Sequence, residues 1–216
     1  MRVIGVFGYI GSGKDTVAQI LEQQYGYTNY SYGDLVRAES VARGRTKDRA
    51  DLQATRRECD ATFGKEYFPD KIVEHIVADN AERAIISGIR NPEDALIPKK
   101  FFGQDMLLIF VDVSKKRRYE RLKKRGSERD AQTYGAFVRQ EKRELGIFDF
   151  VATEKLCDVA ISNNQGVRTL EKRIDTLMRN IKSMQYKREQ KKQRTGKHGA
   201  GKQRKGRHGK KGQRTR

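Results

Sequence analysis

Along the chain, short runs of almost unbroken apolar residues alternate with longer stretches in which apolar positions recur every three or four residues. Val3-Ile4-Gly5-Val6-Phe7 is the first run. β-branched and aromatic residues without a polar alternate describe a strand covered on both faces. Glycines follow, and then Thr16-Val17-Ala18-Gln19-Ile20-Leu21 has helical spacing. A second short strand is predicted over residues 28–31. Helices are predicted over 33–43 and 51–62, and from about Tyr67, where Ile72, Val73, Ile76 and Val77 share a face and Pro69 suits the first turn. Ala84-Ile85-Ile86-Ser87-Gly88 and Met106-Leu107-Leu108-Ile109-Phe110-Val111-Asp112-Val113 are further buried-type strands. Ser114 stands where an N-cap would open a basic helix through Lys124. Asp158-Val159-Ala160-Ile161-Ser162 is the last strand, turned by Asn163-Asn164-Gln165-Gly166. An amphipathic helix then carries Val167, Leu170, Ile174, Leu177, Met178 and Ile181. Strands alternating with helices predict an α/β fold, a three-layer sandwich around a parallel sheet.

Charge changes this picture at one end. Of 47 Lys+Arg and 28 Asp+Glu, residues 187–216 hold 14 of the former and one acid, Glu189, which leaves the body only mildly basic. This tail carries six glycines and nothing aliphatic larger than alanine, so it cannot bury enough apolar surface to offset the entropy of ordering. It is expected to be a disordered basic appendage, 183–216, to a domain spanning 1–182. Such charge density suits sequence-blind contact with RNA through 187–216, because no aromatic residue lies within it to stack on bases. The two cysteines, Cys59 and Cys157, match no metal-binding spacing. No run approaches the roughly 18 apolar residues of a membrane span, and the N-terminus does not read as a signal peptide, so no membrane partner and a cytoplasmic location are expected.

The chemistry begins where the first strand ends. Gly8-Tyr9-Ile10-Gly11-Ser12-Gly13-Lys14 has the spacing of a phosphate-binding P-loop, set between a predicted strand and a predicted helix. The glycines let the backbone curl so that N–H groups face phosphate oxygens, and the helix adds its positive dipole end. Lys14 supplies a charge for the β- and γ-phosphates of ATP. The next position, usually a hydroxyl residue for Mg²⁺, is Asp15, a hard oxygen ligand for the same metal; Thr16 keeps a hydroxyl near the α-phosphate.

Three further groups suggest a second phosphate. Ser31-Tyr32-Gly33-Asp34-Leu35-Val36-Arg37 puts Asp34 in a helical first turn and Arg37 on the same face. Ser87-Gly88-Ile89-Arg90 ends a strand, and ligands of open parallel sheets bind beyond strand carboxyl ends. A guanidinium at either place can grip phosphate bidentately. Around Gly126-Ser127, the helix break is flanked by Arg125, Arg129 and Arg139, which reads as a short arginine-bearing lid over 125–139.

The spaced motifs resemble those of nucleoside monophosphate (adenylate and cytidylate) kinases. They are most similar to an archaeal-type P-loop kinase-like family that is itself similar to dephospho-CoA kinase. That likeness rests on the Val-Ile-Gly-Val opening, Gly33-Asp34 with Arg37, Gly88-Ile89-Arg90, Glu120-Arg121-Leu122 through Gly126, Glu144-Leu145-Gly146 and the turn from Asn163 to Gly166, and it covers about residues 1–182. It implies a kinase that transfers the γ-phosphoryl of ATP to a small phosphorylated acceptor, most simply a (deoxy)nucleoside monophosphate. Lys14, Arg90, Arg125, Arg129 and Arg139 would be catalytic, Asp34, Arg37 and Arg90 would bind the acceptor, and Asp15 would hold magnesium. A dephospho-CoA-type acceptor would need a base, for which Asp34 stands ready. Nucleoside monophosphate kinases carry an acid where this chain has Ser87; Asp112, at the end of the next strand, is the substitute available. An ATPase switch acting on RNA or ribosomal particles through the tail is the alternative of another class.

Overall fold

The computed structural model describes residues 2–127 and 131–202, with side chains through Lys187. Two compact units result, Met1–Ile174 and Asp175–Arg216. The first contains β1 (Val3–Phe7), α1 (Lys14–Tyr25), β2 (Thr28–Ser31), α2 (Tyr32–Ala42), α3 (Arg49–Phe63), α4 (Tyr67–Ala78) and β3 (Ala84–Ser87). It continues with α5 (Pro92–Phe102), β4 (Met106–Asp112), α6 (Lys115–Arg125), α7 (Tyr134–Ile147), α8 (Phe150–Glu154), β5 (Val159–Ser162) and the start of α9 (Val167–Lys202). The described part of the second unit, through Lys202, is the continuation of α9.

The five strands form one parallel sheet in the order β2-β3-β1-β4-β5. All of β1 and β3 and six residues of β4 are buried, which explains their unbroken apolar runs. On one face Val3, Phe7, Ala84, Ile86, Met106, Leu108 and Phe110 join Val36, Phe68, Ile72, Ile76 and Ala95 in a single core. Parallel pairing brings the strand ends to one edge: Phe7 is opposite Phe110, and Ser87 is opposite both Val6 and Ser31. The loops carrying the P-loop, Tyr32-Gly33 and Gly88 therefore emerge side by side. A Cβ on Gly88, whose φ is +80°, would lie 3.4 Å from the Gly33 nitrogen.

Three helices escaped the apolar pattern. α5 contains both Pro92 and Pro98, which read as breaks in a sequence. Pro92 occupies the first turn, where no N–H is required, and Asn91 and Asp94 form a reciprocal capping box. Pro98 cannot donate to the carbonyl four residues back, that of Asp94; the Tyr32 hydroxyl donates to it instead, at 2.8 Å. Burial pushes that hydroxyl well above its ordinary pKa. α7 and α8 are started by side-chain caps, Thr133 to the Ala136 N–H and Asp149 to the Ala152 N–H, rather than by a long apolar stripe. α9 also runs past Ile181, where the amphipathic pattern stops. Between there and Gly196 the chain lacks glycine and proline and is rich in Lys, Arg and Gln, all good helix formers.

The Asp94 carboxylate is completely buried and binds three donors: the backbone N–H groups of Arg90 (3.0 Å) and Asn91 (3.1 Å), and Arg56 Nη2 (2.8 Å). Removing one member of a buried ion pair strands the other, at about 3–5 kcal/mol. Asp94→Ala is therefore expected to lose about that much unfolding free energy by urea titration. A loss under about 1 kcal/mol would show that Asp94 is not holding these elements together.

Candidate functional site

The P-loop lies between β1 and α1 as the spacing requires. Gly11 (φ +78°) and Gly13 (φ +87°) are left-handed, and Gly13 caps α1. A Cβ on Gly8 would fall 2.6 Å from Ser12 Oγ and 2.8 Å from the Val111 carbonyl, and one on Gly13 would fall 2.5 Å from Asn163 Nδ2. Glycine is thus dictated by both backbone shape and close approach. Within the loop the Ser12 N–H donates to the Tyr9 carbonyl at 3.0 Å. Alternating left-handed residues of this kind make a nest of N–H groups, at a helix start, suited to an anion.

Tyr9 turns away from the nest. Its ring stacks on Phe150 (centroids 5.3 Å apart), the Arg118 guanidinium lies 5.0 Å over it, and its hydroxyl donates to Glu154 Oε2 at 3.0 Å. Burial, reinforced by the hydrogen bond to Glu154, pushes its pKa up to about 12. Its part in the loop is to anchor it to α8, which the motif alone does not reveal. Arg118 itself is buried, pairs with Glu141, and donates to the Ile10 carbonyl at 3.3 Å.

Beside the loop lies a cavity of about 520 Å³. Lys14 and Asp15 line one side, Asp34 and Arg37 of α2 another, and Ser87, Gly88 and Arg90 from the end of β3 a third. Of the residues chosen from the sequence, Lys14, Asp15, Asp34, Arg37 and Arg90 thereby line one space, whereas Gly8 to Gly13 and Thr16 are not in its lining. Asp34 and Arg37 pair with each other at 2.5 Å. Arg90 is half-buried, its guanidinium 4.9 Å over Phe148, and burial lowers its pKa while nearby Glu144 opposes that shift. Lys14 and Asp15 approach to 3.5 Å, with Asp15 largely exposed. Of the expected lid arginines, Arg125 and Arg139 are exposed and do not line the cavity, and Arg129 lies outside the described residues. Asp112 is exposed and not part of the lining either.

The sequence reading missed the cavity wall supplied by Lys47, Arg49 and Arg56. Arg56 is held by Asp60 (2.9 Å) and Asp94 (2.8 Å), and Arg49 by Glu144 (2.9 Å). The available signal for Arg56 was the helical face it shares with the buried Thr55 and Cys59. Among the described residues no carboxylate forms an ion pair with Lys47 or Arg90, so these cations can meet an anionic ligand without first breaking a pair. The donor set also fits the cofactor a P-loop implies. The nest and Lys14 suit a triphosphate. Among the described residues no cluster of three or more His, Cys, Asp or Glu could hold a metal, so Asp15 would share Mg²⁺ with phosphate oxygens, the usual way that ion binds in kinases. No helix among the described residues is long and apolar enough to cross a membrane.

Gly13→Ala is expected to abolish measurable ATP binding by calorimetry, since the new methyl must displace Asn163 and the backbone cannot keep φ +87° without strain. Binding at the native affinity would contradict this account of the loop.

Comparison with known proteins agrees with the geometry. The profile of the AAA domain family matches residues 7–136. A UPF0200 protein of Methanothermobacter thermautotrophicus is 34% identical over 184 residues, 84% of this chain and 91% of that one. A UPF0200 protein of Pyrobaculum aerophilum is 31% identical over 182 residues, 82% of this chain and 97% of that one. Among solved structures, shikimate kinase from Acinetobacter baumannii in complex with shikimate superposes with a TM-score of 0.53 over 84% of this chain and 95% of that one, at 15% identity, a likeness of fold alone. By identity with these relatives along most of its length, the chain belongs to the UPF0200 family, and residues 7–136, which hold the P-loop described above, fit the AAA domain profile.

Proposed function

We propose that the protein is a phosphotransferase that moves the γ-phosphoryl of ATP to a small phosphorylated acceptor, most simply a (deoxy)nucleoside monophosphate. The observation that supports this is the shared cavity. Its lining includes Lys14 and Asp15 from the donor side and Arg37 and Arg90 from the acceptor side. An ATPase needs no second cationic wall, whereas transfer between two phosphate groups needs cations on both and water kept out. Lys14 neutralises the β- and γ-phosphates. Asp15 is the magnesium ligand, and the ion supplies charge neutralisation when bound. Arg90, in no ion pair among the described residues and braced on Phe148, grips the acceptor phosphate. Arg37 joins it by exchanging Asp34 for the incoming anion. An acceptor phosphate is already a nucleophile, so no general base is required; positioning and charge neutralisation supply the acceleration. With a hydroxyl acceptor of the dephospho-CoA type, Asp34 takes the proton.

The test is ADP release from Mg-ATP in the presence of nucleoside monophosphates, dephospho-CoA or RNA. One small acceptor is expected to stimulate release. A charge-assisted contact contributes about 1.5–3 kcal/mol. Arg37→Ala and Arg90→Ala are thus each expected to lower stimulated turnover roughly tenfold to hundredfold. Stimulation by RNA alone, lost when residues 187–216 are removed, would overturn the proposal in favour of an RNA-directed ATPase. The metal assignment has its own check. Asp15→Ala is expected to weaken binding of Mg-ATP more than binding of metal-free ATP, and equal affinities of variant and native protein for Mg-ATP would remove Asp15 from the metal.

A further inference from the structure

We infer that Arg121 and Asn163 are positioning residues for the triphosphate, holding the Ser12–Gly13 peptide in the orientation that aims the Gly13 N–H into the phosphate nest. The inference rests on the reading of the P-loop as a triphosphate site and adds residues to it from outside the motif. The Ser12 carbonyl accepts two hydrogen bonds from separate parts of the fold. Arg121 Nη1 donates from α6 at 3.1 Å, and Asn163 Nδ2 donates from the turn after β5 at 2.9 Å. The two donors brace each other, because Arg121 Nη2 also donates to the Asn163 carbonyl at 2.6 Å and to its Oδ1 at 3.3 Å. Asn163 is buried and its own N–H donates to the Asp112 carbonyl at 2.8 Å, so its amide is fixed against the sheet.

The peptides of this loop are trans, and in a trans peptide the N–H points opposite to the C=O. Clamping the Ser12 oxygen from behind therefore turns the Gly13 N–H to the other side. One turn earlier on α6, Arg118 Nη1 reaches the Ile10 carbonyl at 3.3 Å and acts in the same sense on the Gly11 N–H. The intervening Ser12 N–H is occupied by the Tyr9 carbonyl. Alternate peptides thus carry external clamps, in step with the left-handed glycines 11 and 13. Without the clamp the Ser12–Gly13 peptide can flip about its flanking bonds, which would present a carbonyl oxygen to the phosphates in place of an N–H. The 2.5 Å approach of a Gly13 Cβ to Asn163 Nδ2 shows how closely the clamp is seated.

Arg121 also places a positive charge near the nest, so the neutral Asn163 isolates orientation from charge. Inorganic tripolyphosphate, which has no base or sugar, isolates the nest from any other contact. The test titrates the full chain with tripolyphosphate and with ATP by calorimetry without magnesium, and records the melting temperature of each ligand-free variant. Asn163→Ala is expected to weaken both ligands about tenfold, with a ligand-free melting temperature within a few degrees of native. Arg121→Lys keeps the charge but loses the forked grip, and is expected to weaken both ligands several-fold, with a rise in KM for ATP and little change in KM for the acceptor. Should Asn163→Ala fail to fold, Arg121→Lys carries the test. Folded variants that bind tripolyphosphate with native affinity would overturn the clamp. A native chain that binds neither ligand would overturn the triphosphate reading itself, a result distinguishable from the first.

Discussion

Asp94 sets the geometry on which the Arg90 side of the cavity depends. Its carboxylate fixes the backbone where β3 gives way to α5, and so the starting direction of Arg90. The same group holds Arg56 on α3, while its carbonyl, left without a helical partner by Pro98, takes the hydroxyl of Tyr32 at the head of α2. Three walls of the cavity therefore converge on one residue. A charge this deep is tolerated because every contact is a directed hydrogen bond and Arg56 neutralises it. The buried Arg56, in turn, lies 4.9 Å over the Phe68 ring in the main core. Packing of the apolar face and placement of the cationic wall are parts of one arrangement.

The P-loop is held on the same pattern, with cations and amides gripping backbone from outside. Arg118 and Arg121 from α6 and Asn163 after β5 hold carbonyls of the P-loop, and Tyr9 ties the loop to α8. The P-loop and the Gly88–Arg90 turn meet because β1 and β3 are neighbours in register, Val6 opposite Ser87. A parallel sheet delivers both loops to one edge, and what differs between them is what each presents: a nest of N–H groups with Lys14 on one side, guanidinium groups on the other.

Much of this was legible in the chain. The five strands, the P-loop and the shared placement of Arg37 and Arg90 follow from apolar runs, glycine spacing and the rule that ligands sit beyond strand carboxyl ends. What was not legible had a physical cause in each case. α5 was hidden by Pro92 and Pro98, because a proline inside a helix is tolerable only when something distant, here Tyr32, satisfies the freed carbonyl. α7 and α8 depend on caps and on tertiary contacts such as that of Arg118 with Glu141. Lys47, Arg49 and Arg56 stand away from any strand-end glycine, and in sequence they look like solvated charges. Arg125 and Arg139, chosen because they flank a break, are exposed and away from the cavity.

The most direct test of the two-sided site is to follow the γ-phosphoryl group itself. ATP labelled at the γ-phosphate is incubated with the protein, magnesium and the acceptor that stimulates ADP release, and the labelled product is separated and identified. The account predicts label on the acceptor, with little in inorganic phosphate, and loss of that transfer in Arg90→Ala while ATP still binds. Label recovered only as inorganic phosphate, in amounts unchanged by Arg90→Ala, would contradict it.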